Sequence, residues 1–101
     1  MLESTYQACL ALELRERGLQ VECEAALPIR YRERRIDAAY RVDMIVDNQI
    51  LIENKSIQKL LPVHHAQMLT YLKLSDRRFG FLINWNVSRI KDGIIRLANR
   101  F

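Results

Sequence analysis

The stretch VDMIVDNQILIENKS, Val42 to Ser56, limits what this chain can fold into more than any other. Two apolar runs flank Asp47, Asn48 and Gln49, and Asp and Asn accept the left-handed conformations of a tight turn, so the stretch reads as a β-hairpin. Side chains alternate faces along a strand, which puts Glu53 and Lys55 on one face and Asn54 on the other. A three-residue loop pairs Val46 with Ile50 and, counting back, sets Asp43 opposite Glu53. Opposed carboxylates are destabilising in a sheet, and burial among Ile45, Leu51 and their neighbours raises the cost. Three arrangements compensate: one carboxylate holds a proton, Lys55 and a nearby arginine neutralise the pair, or a divalent cation sits between them. The third is the functional reading, because Mg²⁺ binds through one or two carboxylates and takes its remaining ligands from water and substrate phosphate. In the plain alternative both acids point into solvent from an exposed hairpin edge, since a D…E-x-K string also arises by accident.

Periodicity predicts the remaining elements. Leu2 to Arg17 carries Leu2, Tyr6, Cys9, Leu10 and Leu14 at helical spacing, with Gly18 placed to cap its end. Leu19 to Leu27 alternates as a strand and Pro28 perturbs its end. The charged tip RERR between Tyr31 and Ile36 predicts a hairpin into a strand from about Asp37 to Val46. After Pro62, VHHAQMLTYLKL has helical spacing, and FGFLINW, Phe79 to Trp85, has the length and continuous apolarity of a buried strand. Ser88 is placed to cap a last helix with Ile90, Ile94, Leu97 and Phe101 in one stripe. The order is helix, three strands, helix, strand, helix. It describes one α/β domain over residues 1–101, a mixed sheet flanked by helices.

A chain of 101 residues has room for one ordinary domain and therefore for one main site. No apolar run approaches the ~20 residues that span a bilayer, and MLESTYQACL lacks the basic start and apolar centre of a secretion signal. A cytoplasmic protein with no membrane partner is expected. The formal net charge is +4, with arginines gathered in IRYRERRI (Arg30, Arg32, Arg34, Arg35), at Arg77 and Arg78, and along the tail. These groups read either as a phosphate-contacting surface or as solvated faces and a loop tip. Cys9 and Cys23 lie outside any C-x-x-C pattern in apolar surroundings, which predicts reduced, buried thiols. His64 and His65 are helix neighbours that point about 100° apart, so they do not chelate one ion together. Trp85 reads as a core ring at a sheet edge in preference to a base-stacking platform.

The acid on the second strand and E-x-K on the third resemble the αβββαβ restriction-endonuclease-like core of the PD-(D/E)XK nuclease superfamily. LESTYQACLALELRERGL, YRVD, HHAQMLTYLKL and GFLINWNVSRIKDGIIRL, which cover nearly the whole chain, are together similar to the small bacterial GxxExxY proteins placed in that superfamily. The resemblance implies a nuclease that hydrolyses phosphodiester bonds in nucleic acid, DNA first, with Mg²⁺ as cofactor and Mn²⁺ as its substitute. It implies Asp43, Glu53 and Lys55 as catalytic residues, the two acids holding the metal and Lys55 serving the attacking water and the transition state. Glu3 and Tyr6 are then the motif's glutamate and tyrosine, with Glu3 either a third metal ligand or a favourable anion in the first helical turn. Gln67 and Tyr71 form Q-x-x-x-Y on one helix face, implied to position the nucleic-acid strand, or else a polar edge of an amphipathic helix.

Three departures accompany the resemblance. The GxxExxY glycine would precede Met1, Val42 stands where the superfamily name has proline, and Asn54 replaces the usual apolar residue between acid and lysine. A buried Asn54 needs hydrogen-bond partners. The rival functions are a nucleic-acid-binding module without turnover, and an interaction protein that forms a homodimer or docks a partner through the stripe from Ile90 to Phe101.

Overall fold

The structure is a computed structural model and describes residues 2–99. Helix α1 (Leu2–Glu16) is followed by β1 (Val21–Tyr31), β2 (Arg34–Val46), β3 (Ile50–Lys55), α2 (Pro62–Ser75), β4 (Phe79–Asn84) and β5 (Ile94–Ala98). The five strands form one sheet in sequence order. Neighbours run antiparallel except β3 and β4, which are parallel and joined by α2 as the crossover. This is the expected α/β arrangement of a mixed sheet between helices, consistent with a restriction-endonuclease-like fold.

Residues able to reverse the chain sit where it reverses. Gly18 follows α1 at a φ of 87°, a conformation L side chains rarely adopt. Arg32 and Glu33 join β1 to β2 at φ of 49° and 63°, and Asp47 and Asn48 join β2 to β3 at 51° and 55°. The second turn leaves Val46 paired with Ile50, the register that a three-residue loop dictates. Pro28 lies inside β1 without ending it, but it has no N–H for the ladder. Leu27 pairs with Tyr40 and Ile29 with Ile36, so the register shifts across the proline.

The sheet is covered on both faces. Under α1 lie Met44, Val46, Ile52 and Ile83, with Leu10, Ala11 and Leu14 of the helix against them. On the other face Met68, Tyr71 and Leu72 of α2 pack on Leu27, Val42, Ile45, Leu51 and Leu82. Burial on both faces explains the nearly continuous apolar runs of β3 and β4, each fully buried large side chain contributing about 1.5–3 kcal/mol. Gly80 lets α2 approach β4, since a Cβ there would lie 2.6 Å from the Met68 sulfur.

Two expectations are corrected. The C-terminal helix is not formed: Ile90–Gly93 make a single 3-10 turn, and Ile94–Ala98 pairs antiparallel with β4. Without β5, β4 would be a bare apolar edge, and covering that edge outweighs a helical stripe. Ile95 and Leu97 pack against the core while Ile94 stays 42 % exposed, an alternation of period two. Phe101, the end of the proposed stripe, lies outside the described residues. The cysteines are free, as expected, but exposed. Short apolar contexts misled because α1 buries only one flank and β1 is an edge strand. No helix among the described residues is long and apolar enough to cross a membrane.

Candidate active site at the fork of the sheet

Strands β2 and β3 pair as a ladder from Met44 to Val46 against Ile50 to Ile52. Beyond Met44 the strands are linked through side chains. The Asp43 N–H donates to Glu53 Oε1 at 3.2 Å, and the Asn54 N–H donates to Asp43 Oδ2 at 2.8 Å. Asp43 and Glu53 therefore do come together, as crossed side-chain-to-backbone contacts.

The break has local causes. Val42 packs in the cluster under α2 and Met44, two residues on, in the cluster under α1, so strict alternation fails at Asp43. Across the ladder, between the pairs Cys23–Met44 and Ala25–Val42, Glu24 has a φ of 51°. A left-handed residue inside a strand costs about 1–3 kcal/mol. Two contacts hold it there: Arg41 Nη1 donates to the Glu24 carbonyl at 2.8 Å, and Gln7 Nε2 donates to Glu24 Oε2 at 2.9 Å.

The electrostatics follow from burial. Glu53 is 8 % exposed, and burial, then the charge of Asp43, push its carboxyl up to about 8. Asp43 is half-buried and also raised, first by burial and against the stabilising N–H of Asn54, with Glu24 adding to the rise. Lys55 opposes the shift on both acids. With both acids ionised the fork would hold more negative charge than one ammonium offsets, and the proton on Glu53 relieves it.

Asn54, 1 % exposed, has the partners its burial demands. Its Nδ2 donates to Gln7 Oε1 and to the Met44 sulfur, both at 3.3 Å, and its Oδ1 accepts from Trp85 Nε1 at 2.9 Å. Trp85 in turn stacks on Tyr6, with ring centroids 4.7 Å apart and planes within 3°. The Trp85 ring is therefore engaged inside the fold, behind the E-x-K segment.

Of the other expected residues, Gln67 and Tyr71 meet: Gln67 Nε2 donates to the Tyr71 hydroxyl at 2.9 Å. Tyr71 is raised by burial and then by the charge of Glu53, which places its hydroxyl in the field of the acids. Glu3 stands at the rim, where its Oε1 accepts from the Ser56 N–H at 3.3 Å. Among the described residues no three His, Cys, Asp or Glu side chains are grouped closely enough to hold an ion. His64 is a cap: its Nδ1 accepts from the Leu61 N–H at 2.9 Å.

Comparison with known proteins decides the family. A family model for the PD-(D/E)XK nuclease superfamily matches residues 1–97. The chain belongs to the PD-(D/E)XK nuclease superfamily. Among solved structures, the crystal structure of SSO0001 matches with a TM-score of 0.66 and 24% identity, over 99% of this chain and 52% of that one. An alkaline exonuclease from Laribacter hongkongensis matches with a TM-score of 0.58 and 19% identity, over 89% of this chain and 52% of that one. The same exonuclease in complex with dAMP gives 0.57 and 18% over the same shares. At these identities the likeness is one of fold, and this PD-(D/E)XK chain spans about half the length of those proteins. None of the curated proteins matches it.

Sequence reasoning missed three residues around the fork: Glu24, Tyr40, whose ring lies 5.2 Å from that of Tyr71, and Gln7. Gln7 follows Tyr6 directly and could have been noticed as its helix neighbour. Glu24 and Tyr40 reach the site through the β1–β2 register, which no local spacing encodes.

Proposed function

We propose that this domain is a metal-dependent nuclease of the GxxExxY type that hydrolyses phosphodiester bonds in nucleic acid, with DNA as the expected substrate. The observation that carries the reading is the Asp43–Glu53 pair: two acids meet at the fork, and burial, then the charge of Asp43, pushes the Glu53 carboxyl up to about 8. A divalent cation fits this donor set. Two carboxylates supply hard oxygen ligands, and water and phosphate oxygens complete the shell. Asp43 and Glu53 would hold Mg²⁺, with Mn²⁺ able to replace it; bound there, the ion would neutralise phosphate charge and acidify a water.

The chain's own residues do the rest. Lys55 shares the face of Glu53 and brings its ammonium to the negative charge that develops on the phosphate. The Asn54 N–H fixes the Asp43 carboxylate, so the acid is oriented before substrate arrives. Tyr71 and Gln67 form one hydrogen-bonded unit in the field of the acids and orient the strand. Glu3, bonded to the Ser56 N–H, ties the start of α1 to the end of β3 and acts through that tie.

The test is cleavage of linear, circular, single-stranded and branched DNA, and of RNA, in Mg²⁺ or Mn²⁺, beside Asp43→Asn and Lys55→Ala. Each variant is expected to lose at least about a hundredfold in rate while keeping the parent's circular dichroism. Cleavage that survives both substitutions would sink the reading. Salt-sensitive binding with no metal-dependent turnover would replace it with a binding module.

A further inference from the structure

Beyond Glu24 and Asp43, β1 and β2 continue as a two-stranded ribbon, because β3 pairs with β2 only up to Met44. The register shift at Pro28 interrupts this ribbon, and its end faces the corner between α2 and β4. Between ribbon and corner lies a cleft of about 370 Å³ whose walls carry Arg30, Arg35, Arg77 and Glu22. Across Arg77 a second cleft of about 620 Å³ adds Arg78, Asp76 and the ring of Phe79. Neither cleft is lined by Asp43, Glu53 or Lys55.

The walls are basic. Arg30 and Arg35 are directly opposed in the ribbon, which sets two arginines side by side on the wall of the smaller cleft. With Arg77 and Arg78 the two clefts hold four arginines against the two acids Glu22 and Asp76. Arg77 is already fixed, donating to Asn48 Oδ1 at 2.7 Å, to the Ser75 carbonyl at 3.1 Å and to the Asn48 carbonyl at 3.3 Å. A guanidinium held in place loses little further freedom when it meets a phosphate. Charges spread along two adjoining clefts suit a chain of phosphates better than one small anion.

We propose that this trough holds the sugar–phosphate backbone of the nucleic acid at a distance from the carboxylates, independently of base sequence; this rests on the nuclease reading. Ile50 on the wall of the larger cleft is three residues of β3, about 10 Å along the strand, from Glu53. Arg30 and Arg35 are the affinity determinants, and they set how much substrate beyond the scissile bond the protein grips.

The experiment compares the parent with Arg30→Gln/Arg35→Gln and Arg30→Lys/Arg35→Lys. Binding of labelled long and short single- and double-stranded DNA is measured against salt in EDTA, and steady-state cleavage in Mg²⁺. The Gln pair is expected to bind long DNA about tenfold or more weakly at low salt, with the salt slope reduced by roughly two phosphate contacts. KM for long DNA rises with kcat unchanged, short DNA is little affected, and the Lys pair restores the slope. A Gln pair with the parent's slope and KM, in a parent that cuts DNA, overturns the trough alone. A parent that neither binds nor cuts nucleic acid overturns the nuclease reading and the trough with it.

Discussion

Asn54 shows how a residue that breaks a local pattern becomes a fixed point of the site. Its backbone N–H holds Asp43, and its side chain joins Gln7, Met44 and Trp85 behind the acids. Trp85→Phe keeps a ring for Tyr6 but removes the donor, leaving Asn54 Oδ1 buried without that partner. The expected loss is about 1–3 kcal/mol. Tyr6→Phe keeps the stack and should be nearly neutral, whereas Tyr6→Ala loses the stack, about 0.5–1.5 kcal/mol, and buried area besides. Urea denaturation of the three variants checks the order. If Trp85→Phe matches the parent, the indole hydrogen bond does not hold Asn54. The need for such partners was legible from sequence, because strand alternation put Asn54 opposite Glu53 and Lys55. Which residues would supply them was not, since Trp85 and Gln7 arrive from β4's end and α1.

Among the elements, those read correctly had a period and a boundary that agreed. Helix α1 had its stripe and Gly18, β2 and β3 had their turn, and α2 had Pro62 at its start. The C-terminal segment failed because its residues satisfy two periods at once. Ile90, Ile94 and Leu97 make a helical stripe, while Ile95 and Leu97 make a strand face, and only the position of β4 chooses between them. Gly93 provides a sign test. In a helix interior Gly93→Ala would stabilise by up to about 1 kcal/mol. In the observed strand and turn a Cβ would overlap the carbonyl oxygen of Asn84, so the same change should destabilise. A lower melting temperature for Gly93→Ala supports β5, and a higher one supports a helix.

At the scale of the whole molecule, the site and the stability of the fold are linked through one proton. Glu53 titrates in the unfolded chain near its ordinary value of 4.5 and in the metal-free fold at about 8. Between those values the folded state binds more protons than the unfolded state, so stability falls as pH rises, by at most about 1.4 kcal/mol per pH unit. The contribution is fully present below about 4.5 and lost above about 8. Metal-free protein should therefore melt at a lower temperature at pH 9 than at pH 6, and Glu53→Gln, which cannot ionise, should flatten that difference. At the proposed metal site Mg²⁺ would compete with the proton for the same oxygens, so its stabilising effect should grow with pH in the parent and be weak in the Gln variant. Thermal melts across pH, with and without Mg²⁺, test both statements together. Equal pH dependence in parent and Glu53→Gln would show that the fork does not store this proton, and that the Asp43–Glu53 pair is compensated by something other than burial of a neutral acid.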